Sequence, residues 1–311
     1  MMKTSAGNVV GARSSLVRER SQWFENIIHG LLICCALVSV ITTIGIVLVL
    51  LSQSIPFFQE VPLLEFLAGT KWAPLFKPQH FGILPLFCGT FLVAGGSAVI
   101  AVPLGLGTAI YLSEYASPLM RDSVKPLLEI LAGVPSVVFG YVAVVFVSPA
   151  IRKIFPSADL FNAMNACVVV GIMILPMIIS LSEDVLRSVP RSLREGAYAL
   201  GATKLDVTVR VIIPAALSGI VASFILAITR AVGETMAVSL AAGAEAKLTL
   251  NPLTSVQTMT AYIVEVSQGD IPAGSIEHRT IFAVGLSLFV LTLLLNIFAQ
   301  WILNRMREKY E

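Results

Sequence analysis

Six long apolar runs alternate with polar segments along the 311 residues. They cover about residues 27–51, 84–112, 127–147, 164–181, 215–242 and 280–303. A helix crosses a bilayer with about 20 apolar residues, so the pattern predicts an all-α, polytopic membrane protein with six transmembrane helices. The first run has 25 residues and no convincing small-residue cleavage site after it. It reads as an uncleaved span and not as a signal peptide. The predicted organisation is an N-terminal tail over 1–26, a transmembrane domain over 27–303 containing a long polar loop at 182–214, and a short tail at 304–311.

Proline and glycine refine this picture. Pro56, Pro62, Pro74 and Pro78 make residues 53–82 a loop with one short helix near Leu63–Leu67. The second span carries Gly89, Gly95, Gly96, Gly105 and Gly107, small residues that let helices approach closely in lipid. It is therefore expected inside the bundle. Pro126 suits the first turn of the third span, and Gly133-Val134-Pro135-Ser136 predicts a break within it. Pro176 interrupts the fourth span, and the loop from Gly243 to Arg279 carries the turn signals Asn251-Pro252 and Gly269-Asp270-Ile271-Pro272.

Lysine and arginine orient the spans. With the N-terminus inside, the inner segments hold fourteen basic residues and the outer segments six, Arg230 lying within a span. The positive-inside rule then places both termini and the 182–214 loop in the cytoplasm.

Composition narrows the chemistry. Charged residues make up 13% of the chain, against about a quarter in soluble domains. The net charge of +2 leaves no footprint for nucleic acid. Cys34, Cys35, Cys88 and Cys167 lie in apolar runs without a C-x-x-C pair and read as small buried residues; no metal site is expected. There is no phosphate-binding G-x-x-x-x-G-K-[ST] loop, no H-E-x-x-H and no catalytic triad pattern. The chain is thus expected to be no enzyme and to hold no cofactor, with any power for transport coming from an ion gradient or a partner chain.

Two features carry candidate chemistry. Arg230 lies about 15 residues into the fifth run, where a charge is costly and should face protein or a water-filled cavity. Glu234 follows at i+4, on the same face of a continuous helix. Either the two neutralise each other so that the span inserts, or Arg230 is a fixed cation on an anion pathway. Arginine suits oxyanions because its guanidinium stays charged and donates two parallel hydrogen bonds. Thr235 adds a hydroxyl, which could equally bond its own backbone. The second feature is the loop Arg187–Pro214, with five basic residues against Glu195 and Asp206. Ser192 and Glu195 have capping-box spacing for a first short helix, Gly201 breaks it, and a second helix restarts at Ala202 or Thr203. The apolar face of Ala197, Leu200, Leu205, Val209 and Val211 fits either lipid headgroups or a docked protein.

Glu195-Gly196-Ala197, then Gly201, then Val211-Ile212-Ile213-Pro214 resembles the EAA loop of ABC-importer permeases, with the same spacing and with Gly196 in place of the first alanine. Phe81-Gly82-Ile83-Leu84-Pro85 resembles the start of the second span of phosphate permeases, a group that Gly133-Val134-Pro135-Ser136 also fits, and Arg230-Ala231-Val232-Gly233-Glu234-Thr235-Met236-Ala237-Val238 resembles the span-five segment of their PstC-type subunits. The likeness covers roughly 27–303.

The resemblance implies a type I ABC importer permease with the MetI-like fold, in the bacterial inner membrane. It implies pairing with a PstA-like second permease subunit, two PstB-like ATPases that hold ATP and Mg, and a PstS-like phosphate-binding protein. By residue-level likeness, Glu195, Gly196, Ala197 and Gly201 would meet the ATPase, and Arg230, Glu234 and Thr235 would belong to the phosphate pathway. The alternatives are a permease for sulfate, molybdate or phosphonate, a secondary anion transporter with Glu234 as proton relay, and a membrane scaffold without transport.

Overall fold

The computed structural model describes the backbone of residues 11–272 and 274–306 and the side chains of 24–272 and 274–305. The chain divides into a unit of residues 1–52 and a unit of residues 53–311. The described part of the first unit is one uninterrupted helix, the start of α1 (Gly11–Glu60). Its Leu31, Ile41 and Leu48 are exposed, as on a helix that is apolar all round and suited to lipid.

In the second unit α1 ends and α2 (Leu63–Ala68) and a short hairpin of β1 (Trp72–Ala73) and β2 (His80–Phe81) follow. The helix persists through Pro56, where the sequence predicts a loop. The reason is tertiary. Phe57 is fully buried and meets Phe66 and Phe81 edge-on, with ring centroids 5.6 and 5.5 Å apart. The short helix expected near 63–67 is α2.

The core is the packing of α3 (Leu84–Ile110) on α7 (Ala163–Ser188). A Cβ on Gly105 would lie 2.6 Å from Cγ2 of Ile178, so the glycine is what lets the helices touch there. Ile174 and Ile178 are fully buried in this layer. α10 (Ile213–Val232) lies along α7, tied to it by a hydrogen bond of 2.7 Å between the buried hydroxyls of Ser182 and Ser223. α13 (Ile276–Met306) runs beside α12 (Met259–Gln268), where Tyr262 Oη and Thr280 Oγ1 share a hydrogen bond of 2.5 Å.

Among the described residues six helices are long and apolar enough to cross a membrane: 24–60, 84–115, 136–154, 163–188, 204–232 and 276–305. Two differ in kind from the segments read from the sequence. The third starts at 136, because the residues before it form a separate helix, α4 (Pro118–Ala132). Ser117 caps α4 by accepting from the amide of Met120 at 3.3 Å, and Pro118 fills its first turn, so Pro126 sits mid-helix and not at a start. The expected break follows at Gly133, after which come α5 (Ser136–Val142), a π turn and α6 (Ser148–Ile154).

The fifth span begins earlier than expected, at 204, with α9 (Lys204–Val207) and a π turn leading into α10. It stops at Val232, ten residues short of the apolar run's end, and a separate short helix follows, α11 (Met236–Ala241). The break at Gly233 has nearly the backbone angles of that at Gly133, φ −85°, ψ −2° against φ −82°, ψ −8°. The helices after the two breaks pack together, Gly140 of α5 lying against Ala237 and Leu240 of α11.

Candidate functional site

The first candidate is the loop between α7 and α10. α8 (Arg191–Ala199) begins after Pro190 and not at a Ser192 cap. Pro190 already ends the preceding segment and leaves Ser192 inside the first turn, so the expected Ser192–Glu195 box does not form. The capping box is instead at Thr203 and Asp206: the Asp206 amide donates to Thr203 Oγ1 at 3.2 Å, and the Thr203 amide donates to Asp206 Oδ2 at 3.4 Å.

Gly201 joins the two helices with φ +85°, a left-handed conformation that glycine adopts without strain. Its amide donates to Tyr198 O at 2.9 Å and the Ala202 amide to Ala197 O at 3.2 Å, the paired bonds of a Schellman C-cap. Ala197 and Ala202 then turn inward onto Leu186, Val207 and Ile212. Leu193, Tyr198, Leu200, Leu205 and Val209 remain exposed, Leu200 at 90%. Glu195 is exposed beside them, and a Cβ on Gly196 would meet nothing within 4 Å. The loop thus presents an apolar outer surface on a rigid inner seat.

Charge ties that seat to the end of α3. Arg194 reaches Glu114 at 3.3 Å and donates from Nη2 to Leu186 O at 2.8 Å. Glu114 lies on the π turn Tyr111–Tyr115 and is 6% exposed, so the pair is largely shielded from water. Lys204 Nζ stands 4.8 Å from the centre of the Tyr115 ring. Contacts thus join α8 and α9 to the end of α3, while the chain itself continues from α9 into α10.

The second candidate surrounds Arg230. It lies in the last turn of α10, is exposed, and opens into a cleft of about 360 Å³ between α4, α7 and α10. Lys125, Glu129, Ser180, Pro176 and Ala132 line the same cleft. Ala132 is small, which leaves room between the helices. Among the described residues no carboxylate stands within ion-pair distance of Arg230.

Glu234 is not its partner. The helix has ended, and Glu234 Oε1 accepts instead from the Ala237 amide at 3.2 Å, while its carbonyl accepts from Thr260 Oγ1 at 2.7 Å. Thr235 Oγ1 donates to Gly233 O at 3.1 Å. Of the three pathway residues read from the sequence, the structure puts Arg230 at the cleft and leaves Glu234 and Thr235 in the break beside it, outside the cleft lining.

Lys125, Glu129, Glu183 and Arg194 lie outside the site residues that the sequence predicts. Glu183 is fully buried at the loop end of α7 and holds Lys125 at 2.5 Å and Arg187 at 3.4 Å; Asp184 takes Lys125 at 2.9 Å. Glu183, with Asp184 beside it, holds the Lys125 ammonium above the usual lysine range against the opposing effect of partial burial. The signal available was the run Ser182-Glu183-Asp184 at the end of an apolar segment, where a buried carboxylate requires a cation.

Residues 101–308 match the family described as "Binding-protein-dependent transport system inner membrane component". The chain belongs to that family. The permease is 33% identical over 273 residues to the probable ABC transporter permease protein YqgH of Bacillus subtilis, covering 87% of this chain and 88% of that one. It is 34% identical to the phosphate transport system permease protein PstC of Mesorhizobium japonicum, covering 78% of each. With PstC of Haemophilus influenzae the figures are 33%, 78% and 82%. In fold it is similar to a chain of the MetNI methionine ABC transporter in an inward-facing conformation, with TM-score 0.54 and 18% identity, over 73% of this permease and 95% of that chain. A bacterial ABC transporter that imports alginate gives TM-score 0.58 and 14% identity, over 95% and 100%. This permease is therefore a multi-pass membrane protein of an ABC importer with the MetI-like fold, a transport subunit and not an enzyme.

Proposed function

We propose that this permease forms half of the translocation pathway of an ATP-driven importer of inorganic phosphate, and that Arg230 is the cation the anion meets in the membrane. The observation that carries the reading is an exposed Arg230, with no carboxylate in ion-pair distance among the described residues, opening into a cleft at the end of a spanning helix. An arginine at membrane depth is expensive unless it serves a pathway, and its planar donors match a tetrahedral oxyanion. The PstC names of relatives such as that of Mesorhizobium japonicum support phosphate as that anion.

On this reading a PstB-like ATPase, carrying ATP and Mg, seats on Leu193, Tyr198, Leu200, Leu205 and Val209, with Glu195, Gly196, Ala197 and Gly201 shaping the seat. The loop and both termini then face the cytoplasm, and two such ATPases serve this chain and a PstA-like subunit. A PstS-like protein delivers phosphate to the opposite side. Closure of the ATPase pair moves α8 and α9, the Arg194–Glu114 tie carries α3 along, and the helix from 204 to 232 carries the motion to Arg230.

The test is copurification followed by reconstitution. Purification of the chain from membranes should bring an ATPase and a second permease, and the reconstituted complex should take up phosphate and not sulfate. Copurification of neither, or equal uptake of sulfate, contradicts the reading.

A further inference from the structure

Lys125 and Glu129 are four residues apart on α4 and could pair along the helix. They do not. The Lys125 ammonium is drawn across to α7, to Glu183 at 2.5 Å and Asp184 at 2.9 Å. Glu129 is left lining the cleft that Arg230 enters, and among the described residues no cation stands within ion-pair distance of its carboxylate. The cleft therefore presents one uncompensated guanidinium and one uncompensated carboxylate, with about 360 Å³ between the helices that carry them.

A free carboxylate is out of place on an anion pathway. It repels a fully deprotonated anion, and an ionised carboxylate can only accept hydrogen bonds. The arrangement suits a ligand that accepts from Arg230 and donates to Glu129. Inorganic phosphate keeps at least one proton at neutral pH and so carries a P–OH donor; sulfate and molybdate keep none. We infer that Glu129 is a specificity-determining residue of the cleft, which admits protonated tetrahedral oxyanions and rejects deprotonated ones. This rests on the reading of Arg230 as the anion's cation and adds the group that tells one oxyanion from another. The rejection follows from leaving a polar group of the site unpaired, which discriminates more strongly than shape alone.

Glu129 is exposed on a helix with no buried side chain, so Glu129→Gln should leave folding intact. The assembled transporter, purified without its binding protein, is tested for equilibrium binding of radiolabelled phosphate and sulfate. The unaltered complex should prefer phosphate by about tenfold or more, and Glu129→Gln should bring the ratio to within about threefold, by weakening phosphate and strengthening sulfate. Arg230→Gln should weaken both anions. An unchanged ratio in Glu129→Gln, with both anions weakened by Arg230→Gln, overturns the role of Glu129 and leaves the Arg230 reading standing. An Arg230→Gln complex that binds both normally overturns the two together, and an unaltered complex without preference overturns the role of Glu129 alone.

Discussion

Arg230 and Glu234 lie four positions apart and do not pair. The helix that carries Arg230 ends at Val232, and Glu234 turns its Oε1 onto the Ala237 amide, 3.2 Å away. Arg230 is thereby free for a ligand, while Glu234 holds the start of the next helix.

That division predicts different outcomes at Glu234. Glutamine keeps an acceptor for the Ala237 amide, so Glu234→Gln should retain phosphate uptake within about tenfold, whereas Glu234→Ala loses a hydrogen bond worth about 1 kcal/mol. Uptake and thermal unfolding of the purified complex separate the two. Complete loss of uptake in Glu234→Gln would restore a charge-pair role for this residue.

Gly196 and Gly201 should respond oppositely to alanine. Gly196 is helical with open space around it, so Gly196→Ala should stabilise α8 by about 0.5–1 kcal/mol. Gly201 has φ +85°, where alanine costs about 1–2 kcal/mol. Gly201→Ala should therefore weaken retention of the ATPase on an affinity column while Gly196→Ala does not, and equal retention by both contradicts the coupling geometry.

The Arg194–Glu114 pair should matter for coupling. Removing one partner of a shielded ion pair costs about 3 kcal/mol. Arg194→Gln is expected to let the attached ATPase hydrolyse ATP without proportionate uptake. Arg194→Lys should rescue only part of the loss, because one ammonium replaces a fork that reaches both Glu114 and the Leu186 carbonyl. Normal stoichiometry in Arg194→Gln would show that α3 takes no part.

Lys125 gives a pH prediction. Its pairing raises its pKa above 10.5, so the stability it contributes is fully present below the ordinary lysine value and is lost only as pH rises past the raised one. The difference in melting temperature between the unaltered complex and Lys125→Gln should thus be the same from about pH 6.5 to 9. A difference that fades by the upper end contradicts a charged Lys125 held by Glu183 and Asp184.

Much of this was legible in the sequence because its signals are local. Apolar run length marks spans, Gly133-Val134-Pro135 marks a break, and the spacing of Glu195, Gly201 and Pro214 marks the loop. The second break, at Gly233, has no such local mark, because Val232-Gly233-Glu234-Thr235-Met236 contains no proline and sits inside an apolar run. The contacts just beyond it come from distant parts of the chain: Thr260 Oγ1 donates to Glu234 O, and Gly140 of α5 packs on α11. The Ser192 box has the right spacing, but Pro190 fixes the start of α8. Lys125, Glu183 and Glu129 belong to two helices that only the fold brings together, so no spacing rule could group them.

In the proposed cycle Arg230 meets phosphate while the loop receives the ATPase. Phosphate uptake by proteoliposomes containing the Arg230→Gln complex tests it most directly. Loss of a charge-assisted contact of about 1.5–3 kcal/mol predicts uptake reduced about 10- to 100-fold in a complex that still assembles with its ATPase. Uptake at the unaltered rate by that assembled complex would show that phosphate does not meet Arg230.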